Sequence, residues 1–216
     1  MTIIKICGIT TLEDALLCAD LGVEMLGFNF YAKSVRLVSS AKCQSMVAEV
    51  RKRGYNLMCV GVFVNAAAAE IEKNVADCGL DAAQLHGDED PSFAASLSVL
   101  NYKAYRGLPL PANANLYPQP AANSLPRFLV DASVAGKYGG TGASLDWAKA
   151  ADLNNVGTTN QSFLLAGGIT PANVAEAIEK VAPWGVDIAS GVEEAIGKKS
   201  VEKVRMLVEK VRNAQV

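Results

Sequence analysis

Leu165-Ala166-Gly167-Gly168-Ile169-Thr170-Pro171, joined downstream by Asp187-Ile188-Ala189-Ser190-Gly191-Val192-Glu193, decides the fold. The first stretch reads as a buried strand, Phe163 to Ala166, that ends in two glycines and runs into a helix. Thr170 is placed to cap that helix and Pro171 suits its first turn. The second stretch closes another strand, Val186 to Ala189, on Ser-Gly. Glycine at both strand ends lets backbone N–H groups approach a ligand, and N–H groups beside a helix start make an anion site. Taken singly, either turn also reads as a tight strand-to-helix connection with no ligand. Side by side and late in an α/β chain, they fit a phosphate cup after strands seven and eight of a (β/α)8 barrel.

Working outward, the rest of the chain supplies the missing strands and helices. Strands are expected at Ile3 to Cys7, Met25 to Phe30, Leu57 to Val64, Asp81 to Leu85, Tyr102 to Arg106 and Phe128 to Asp131. Thr10-Thr11-Leu12-Glu13 reads as a capping box for a first helix, with Leu12, Ala15, Leu16 and Ala19 on one face and Gly22 as its stop. Further helices are expected from Ser40 to Arg53, from a cap at Asn65 to near Gly79, after Pro91, and from a cap at Ser144 through Trp147. The last two are Ala172 to Val181 and Val201 to Asn213, the final one turning Val201, Val204, Leu207, Val208 and Val211 inward. The proline-rich stretch Gly107 to Pro126 argues against a regular helix there. Strands alternating with helices give a parallel sheet. Eight such units in 216 residues favour one closed (β/α)8 (TIM) barrel, a single domain over residues 1–216. An open dinucleotide-binding sheet would carry G-x-G-x-x-G after its first strand, where this chain has Cys7-Gly8-Ile9-Thr10.

Half of the residues are hydrophobic, as a sheet covered on both faces requires. The net charge is −2 and no basic stripe exists; Arg51-Lys52-Arg53 reads as a solvated helix end, so nucleic acid is not an expected partner. Five cysteines lie far apart with one histidine and no C-x-x-C, which implies free thiols in a reducing compartment and no zinc site. A strand within three residues of the start leaves no room for a signal peptide, and the most apolar run is too short to span a bilayer. A cytoplasmic protein without membrane contact is the expectation.

In a barrel, strand C-termini face substrate. Here they carry Cys7, Asn29, Asn65, Gln84, His86, Arg106, Asp131, Gly167, Gly168, Ser190 and Gly191, with Lys33 and Arg36 on the loop after strand two. Asp187, in the second stretch, joins the substrate-binding candidates. The set holds a thiol, a carboxylate, guanidinium groups and an anion cup. It lacks a trio of metal ligands, a Schiff-base lysine at a mid-barrel strand end and a Ser-His-Asp arrangement. Acid–base chemistry on a phosphorylated small molecule, without metal or cofactor, follows. Cys7 as a packed thiol, His86 as a turn residue and Arg36 as a solvated side chain are the plain alternatives. Asp131 ends the apolar strand Phe128-Leu129-Val130-Asp131, where a carboxylate is costly unless bonded or used.

Lys5-Ile6-Cys7-Gly8-Ile9-Thr10, Gly61-Val62-Phe63-Val64-Asn65, Gln84-Leu85-His86-Gly87, Val130-Asp131, Gly139-Gly140-Thr141-Gly142, Leu165 to Ile169 and Ser190 to Glu193 together resemble the phosphoribosylanthranilate isomerase family, in order and over nearly the whole chain. The resemblance implies a metal- and cofactor-free (β/α)8 barrel that performs an Amadori rearrangement in tryptophan biosynthesis, as a monomer or homodimer. By it, Cys7 is the general base at C2′ and Asp131 the general acid on the ribose ring oxygen. Gly167-Gly168 and Ser190-Gly191 hold the phosphate, Gly140-Thr141-Gly142 closes over it, and Arg36 takes the anthranilate carboxylate. Burial is expected to raise the pKa of Asp131, and N–H groups after Gly8 to lower that of Cys7. Two departures stand out. Ser34-Val35-Arg36-Leu37 replaces the family's usual Ser-Pro-Arg-Tyr, which frees the loop, and Leu145 stands where Phe is frequent. A histidine-pathway ribonucleotide isomerase and a non-catalytic phosphosugar-binding barrel are the competing readings.

Overall fold

Ile3–Cys7 forms β1 and Leu12–Asp20 forms α1, and the same strand–helix step recurs along the chain of this computed structural model. Residues 1–99, 103–109, 125–131, 147–155 and 162–214 are described. The strands are β2 (Met25–Asn29), β3 (Met58–Phe63), β4 (Ala82–Leu85), β5 (Ala104–Pro109), β6 (Phe128–Asp131), β7 (Phe163–Leu165) and β8 (Gly185–Ile188). Each pairs in parallel with the next, and β8 pairs with β1, so the eight strands close a barrel as the sequence implies. The helices are α2 (Ser40–Lys52), α3 (Ala68–Cys78), α4 (Pro91–Val99), α5 (Trp147–Ala151), α6 (Val174–Val181) and α7 (Val201–Asn213). A short hairpin, β9 (Glu193–Ala195) and β10 (Lys198–Lys199), stands between β8 and α7.

Alternation along the strands sorts the side chains into two layers. On β1, Ile4 and Ile6 pack outward against the helices, in the cluster that also holds Ala15, Val47, Ile178 and Val204. Phe128 and Phe163 extend that layer with rings stacked 5.7 Å apart. The complementary positions fill the barrel, with Met25, Val60, Ala82, Tyr105, Leu129 and Leu164 in one inner cluster.

Several local expectations shift. The cap of α1 is Thr11, which accepts from Asp14 N, while Thr10 donates to the Gly197 carbonyl. Asn65 does not cap α3. It sits in the left-handed region (φ 52) and accepts from Asp88 N, and α3 begins three residues later. β5 lies further along than expected and reaches Pro109, the register partner of Asp131. Thr170 caps nothing: α6 starts at Val174, after a turn held by Asn173, whose Oδ1 accepts from Thr170 N and whose Nδ2 donates to the Gly168 carbonyl. Val201, the first residue of α7, is exposed rather than inward-facing, while Val204, Leu207 and Val211 are buried. Tyr102, the proline-rich residues 110–124, and Gly140, Thr141, Gly142, Ser144 and Leu145 lie outside the described residues.

Candidate active site

A cavity of about 310 Å³ opens at the C-terminal ends of the strands. Cys7, Arg36, Asp131, Gly167, Gly168, Asp187, Ser190 and Gly191 all border it, together with Asn29, Lys33, Gln84 and His86. The strands of the two glycine turns, β7 and β8, lie between those of Asp131 and Cys7 in the barrel order. Arg106 does not border this cavity. Tyr105 takes the inward position on β5, which turns its neighbour Arg106 to the outer face, in register with Leu85 and Phe128. Asn65 is likewise engaged at the rim, with its N–H on Glu89.

The glycine turns are shaped for close approach. Gly167 and Gly168 have φ of 91° and 68°, a left-handed pair that side chains resist. A Cβ on Gly191 would overlap the Ile169 carbonyl, so the two turns pack directly on one another. The amide of Asn173 brackets the first turn, a role that its position three residues after Thr170 left unmarked in the sequence.

Asp131 belongs to a polar chain inside the barrel. Tyr105 and Gln84 are register partners on β5 and β4, and the Tyr105 hydroxyl donates to Gln84 Oε1 at 2.9 Å. Gln84 Nε2 then lies 2.9 Å from His86 Nδ1, and His86 Nε2 lies 3.1 Å from Asp131 Oδ2. With its amide oxygen taken by Tyr105, Gln84 donates to Nδ1, which places the histidine proton on Nε2, facing Asp131. His86 is thus a pocket residue rather than a turn residue.

Cys7 corrects an expectation. The N–H groups of Gly8 and Ile9 both donate to the Gly27 carbonyl, at 2.9 and 3.0 Å, and are not spare donors for a thiolate. Burial pushes the thiol pKa up; the Lys5 charge opposes it, Asp187 adds to it and Lys199 opposes it, with a net upward result. The other four cysteines are free and buried, and burial lifts Cys18 and Cys59 to about 12.

Arg36 reaches the cavity from a loop that is stitched together despite lacking proline. Ser34 N donates to the Tyr31 carbonyl, Leu37 N to the Ser34 carbonyl, and Arg36 N to Ser34 Oγ. The Arg36 stem lies against Gly8. Val35 and Leu37 are 68% and 48% exposed; Val35 borders the cavity, whereas Leu37, at the place of the family's usual aromatic ring, does not. Two groups escaped sequence reasoning, Glu193 and Lys199. Glu193 grips the Arg36 guanidinium, and Lys199, fully buried, donates to Glu193 Oε1 and to the carbonyls of Cys7 and Ala189. A lysine in a Lys-Lys pair carries no sequence mark of burial. Among the described residues, no group of three His, Cys, Asp or Glu side chains is arranged to hold a metal ion.

Fold and site define a (β/α)8 barrel with two touching glycine turns at its mouth and a thiol and a carboxylate across it. The family model for N-(5'-phosphoribosyl)anthranilate (PRA) isomerase matches residues 4–210. The chain belongs to that family. The N-(5'-phosphoribosyl)anthranilate isomerase of Citrifermentans bemidjiense is 39% identical over 208 residues, 96% of each chain. The crystal structure of the Thermus thermophilus enzyme superposes with a TM-score of 0.84 at 34% identity, over 99% of this chain and 100% of that one. A related structure, in complex with reduced 1-(o-carboxyphenylamino)-1-deoxyribulose 5-phosphate, has a TM-score of 0.82 at 28% identity, covering 99% and 100%.

Proposed function

We infer that this protein isomerises N-(5'-phosphoribosyl)anthranilate to 1-(2-carboxyphenylamino)-1-deoxyribulose 5-phosphate in tryptophan biosynthesis, by general acid–base catalysis. One observation carries the assignment: Cys7 and Asp131 border a single cavity whose intervening strands bear the two glycine turns. The phosphate sits on the N–H groups of Gly167, Gly168, Ser190 and Gly191, and Gly140, Thr141 and Gly142 belong to the same substrate-binding set. Arg36 receives the anthranilate carboxylate, matching it with two parallel donors. Asp187 has a buried Oδ1 without a protein partner and borders the cavity, so it accepts from a sugar hydroxyl.

Asp131 protonates the ribose ring oxygen, the ring opens, and the anilino nitrogen forms an iminium at C1′. The Cys7 thiolate removes the C2′ proton, and the resulting enolamine tautomerises to the aminoketose. Asp131 thus supplies the proton that opens the ring and Cys7 removes the one at C2′. The relative that holds a reduced form of this product supports the same occupant here.

The enzyme works as one domain, in the cytoplasm, as a monomer or homodimer. Among the described residues, no helix is long and apolar enough to cross a membrane. Turnover of phosphoribosylanthranilate, followed as loss of its fluorescence, tests the assignment. Binding of a phosphosugar without turnover would move the protein to the sensor class. Turnover of the histidine-pathway ribonucleotide alone would move it to that isomerase.

A further inference from the structure

The floor beneath Cys7 is charged, and the acid–base scheme leaves that charge unused. Lys5 stands two residues before Cys7 on β1, so both side chains enter the barrel. Its register partner on β8 is Asp187, and Lys5 Nζ donates to Asp187 Oδ2 at 2.8 Å. Lys5 is fully buried and does not border the cavity, whereas Cys7 and Asp187 do. Its ammonium therefore meets no substrate. Burial works to lower the Lys5 pKa, but Asp187, with Cys7 and Tyr105, reverses this and raises it, so the group stays protonated.

Gly27, the register partner of Cys7 on β2, is bare on this side. A Cβ there would stand 2.8 Å from Cys7 Sγ and 3.1 Å from Lys5 Nζ. Thiol and ammonium thus share one side-chain-sized space. Packing alone does not account for a buried ion pair, since apolar side chains of like volume often stabilise as well or better.

Given Cys7 as the general base proposed above, we infer that Lys5 is its positioning residue: an ammonium anchored on Asp187, beneath the thiol and outside the substrate cavity, that favours the thiolate. The other charged or titratable groups acting on Cys7 do so from different elements. Lys199 on β10 donates to the Cys7 carbonyl at 2.7 Å. Arg36 on the loop after β2 and Tyr105 on β5 also couple to the thiol electrostatically. Asp187 opposes Lys5, and its sign gives the inference a second handle.

The test is the pH dependence of Cys7 alkylation by iodoacetamide, without substrate, in the full-length protein; the other cysteines are buried and report nothing. Lys5→Met should move the midpoint up by about one pH unit or more, which is about tenfold less thiolate at pH 7. Asp187→Asn should move it down. In turnover, Lys5→Met should lose about tenfold in kcat at pH 7, recover as pH rises, and keep KM near wild type. Midpoints that stay fixed, or that move in the same direction, overturn the inference, as does a loss in kcat that is equal at every pH. If Lys5→Met does not fold, Lys5→Gln takes its place, and an unmoved midpoint in that variant overturns the inference. Alkylation reads the coupling without catalysis, so its failure is distinct from failure of the base assignment, which Cys7→Ser turnover reads.

Discussion

Glu193 holds Arg36 through both carboxylate oxygens, each 2.7 Å from a guanidinium nitrogen, Nε and Nη2. Lys199 donates to Oε1 of the same carboxylate at 3.0 Å. The guanidinium is thereby fixed in plane before any ligand arrives, and its Nη1–Nη2 edge is the one left to match a second carboxylate. Arg36→Lys should lower kcat/KM by about 1.5–3 kcal/mol, mostly through KM. Wild-type kinetics in Arg36→Ala would transfer the role to Lys33, which borders the same cavity.

The phosphate prediction rests on two turns that touch. A side chain at Gly168 strains a backbone with φ of 68° and intrudes on the cavity. Gly168→Val and Ser190→Glu should each raise KM at least tenfold, the first by blocking and the second by repelling the phosphate. Inorganic phosphate should compete with substrate in wild type and lose that competition in both variants. Unchanged KM in the two variants removes the assignment.

Glu193 also predicts a pH dependence of stability. Burial works to raise its pKa, but hydrogen bonds and charges from Arg36 and Lys199 outweigh this and hold it below the usual carboxylate value. The folded state therefore binds this proton less readily than the unfolded chain, whose Glu titrates near about 4.3. The resulting stability is fully present above about pH 5 and disappears as pH falls through the folded pKa. Glu193→Gln should melt at a lower temperature than wild type at pH 7, with the gap narrowing towards acid. An equal gap across the range would show that Glu193 acts through shape alone.

Barrel order was legible because it depends on apolar runs and turn residues spaced along the chain, and β1, β6 and α7 fall where the residues place them. Strand ends named Cys7, Asp131 and His86 for the same reason. Side-chain partnerships across the barrel were not legible. Lys5 and Asp187 are 182 positions apart in sequence and meet only because β8 closes on β1 in one register. Caps failed where two candidates adjoined, as at Thr10 and Thr11, since either hydroxyl satisfies the local pattern and only the Gly197 carbonyl selects between them. Arg106 was misplaced because a strand starting at Ala104 rather than Tyr102 extends three residues further, and Arg106 then lies mid-strand on the outer face.

The last prediction concerns the acid and the base together. Cys7 must be a thiolate to take the C2′ proton, and its pKa lies above the ordinary value because burial outweighs the nearby cations. The thiolate is then a minor species at pH 7, and kcat should rise with pH until the thiol has titrated. Cys7→Ser should abolish that rising limb and lower kcat at least ~10²-fold. Asp131→Asn should keep the limb but lower the whole curve by a similar factor. His86 donates to Asp131 Oδ2 and touches the acid from the side of the barrel, so His86→Phe should cost about tenfold in kcat with little change in KM. Every one of these variants should still bind a product analogue, because the glycine turns are untouched. Combining Cys7→Ser with Asp131→Asn should cost less than the product of the single losses, since both act in one sequence of proton transfers. A Cys7→Ser enzyme with wild-type kcat would return Cys7 to the role of a packed thiol and leave the proton at C2′ without a base.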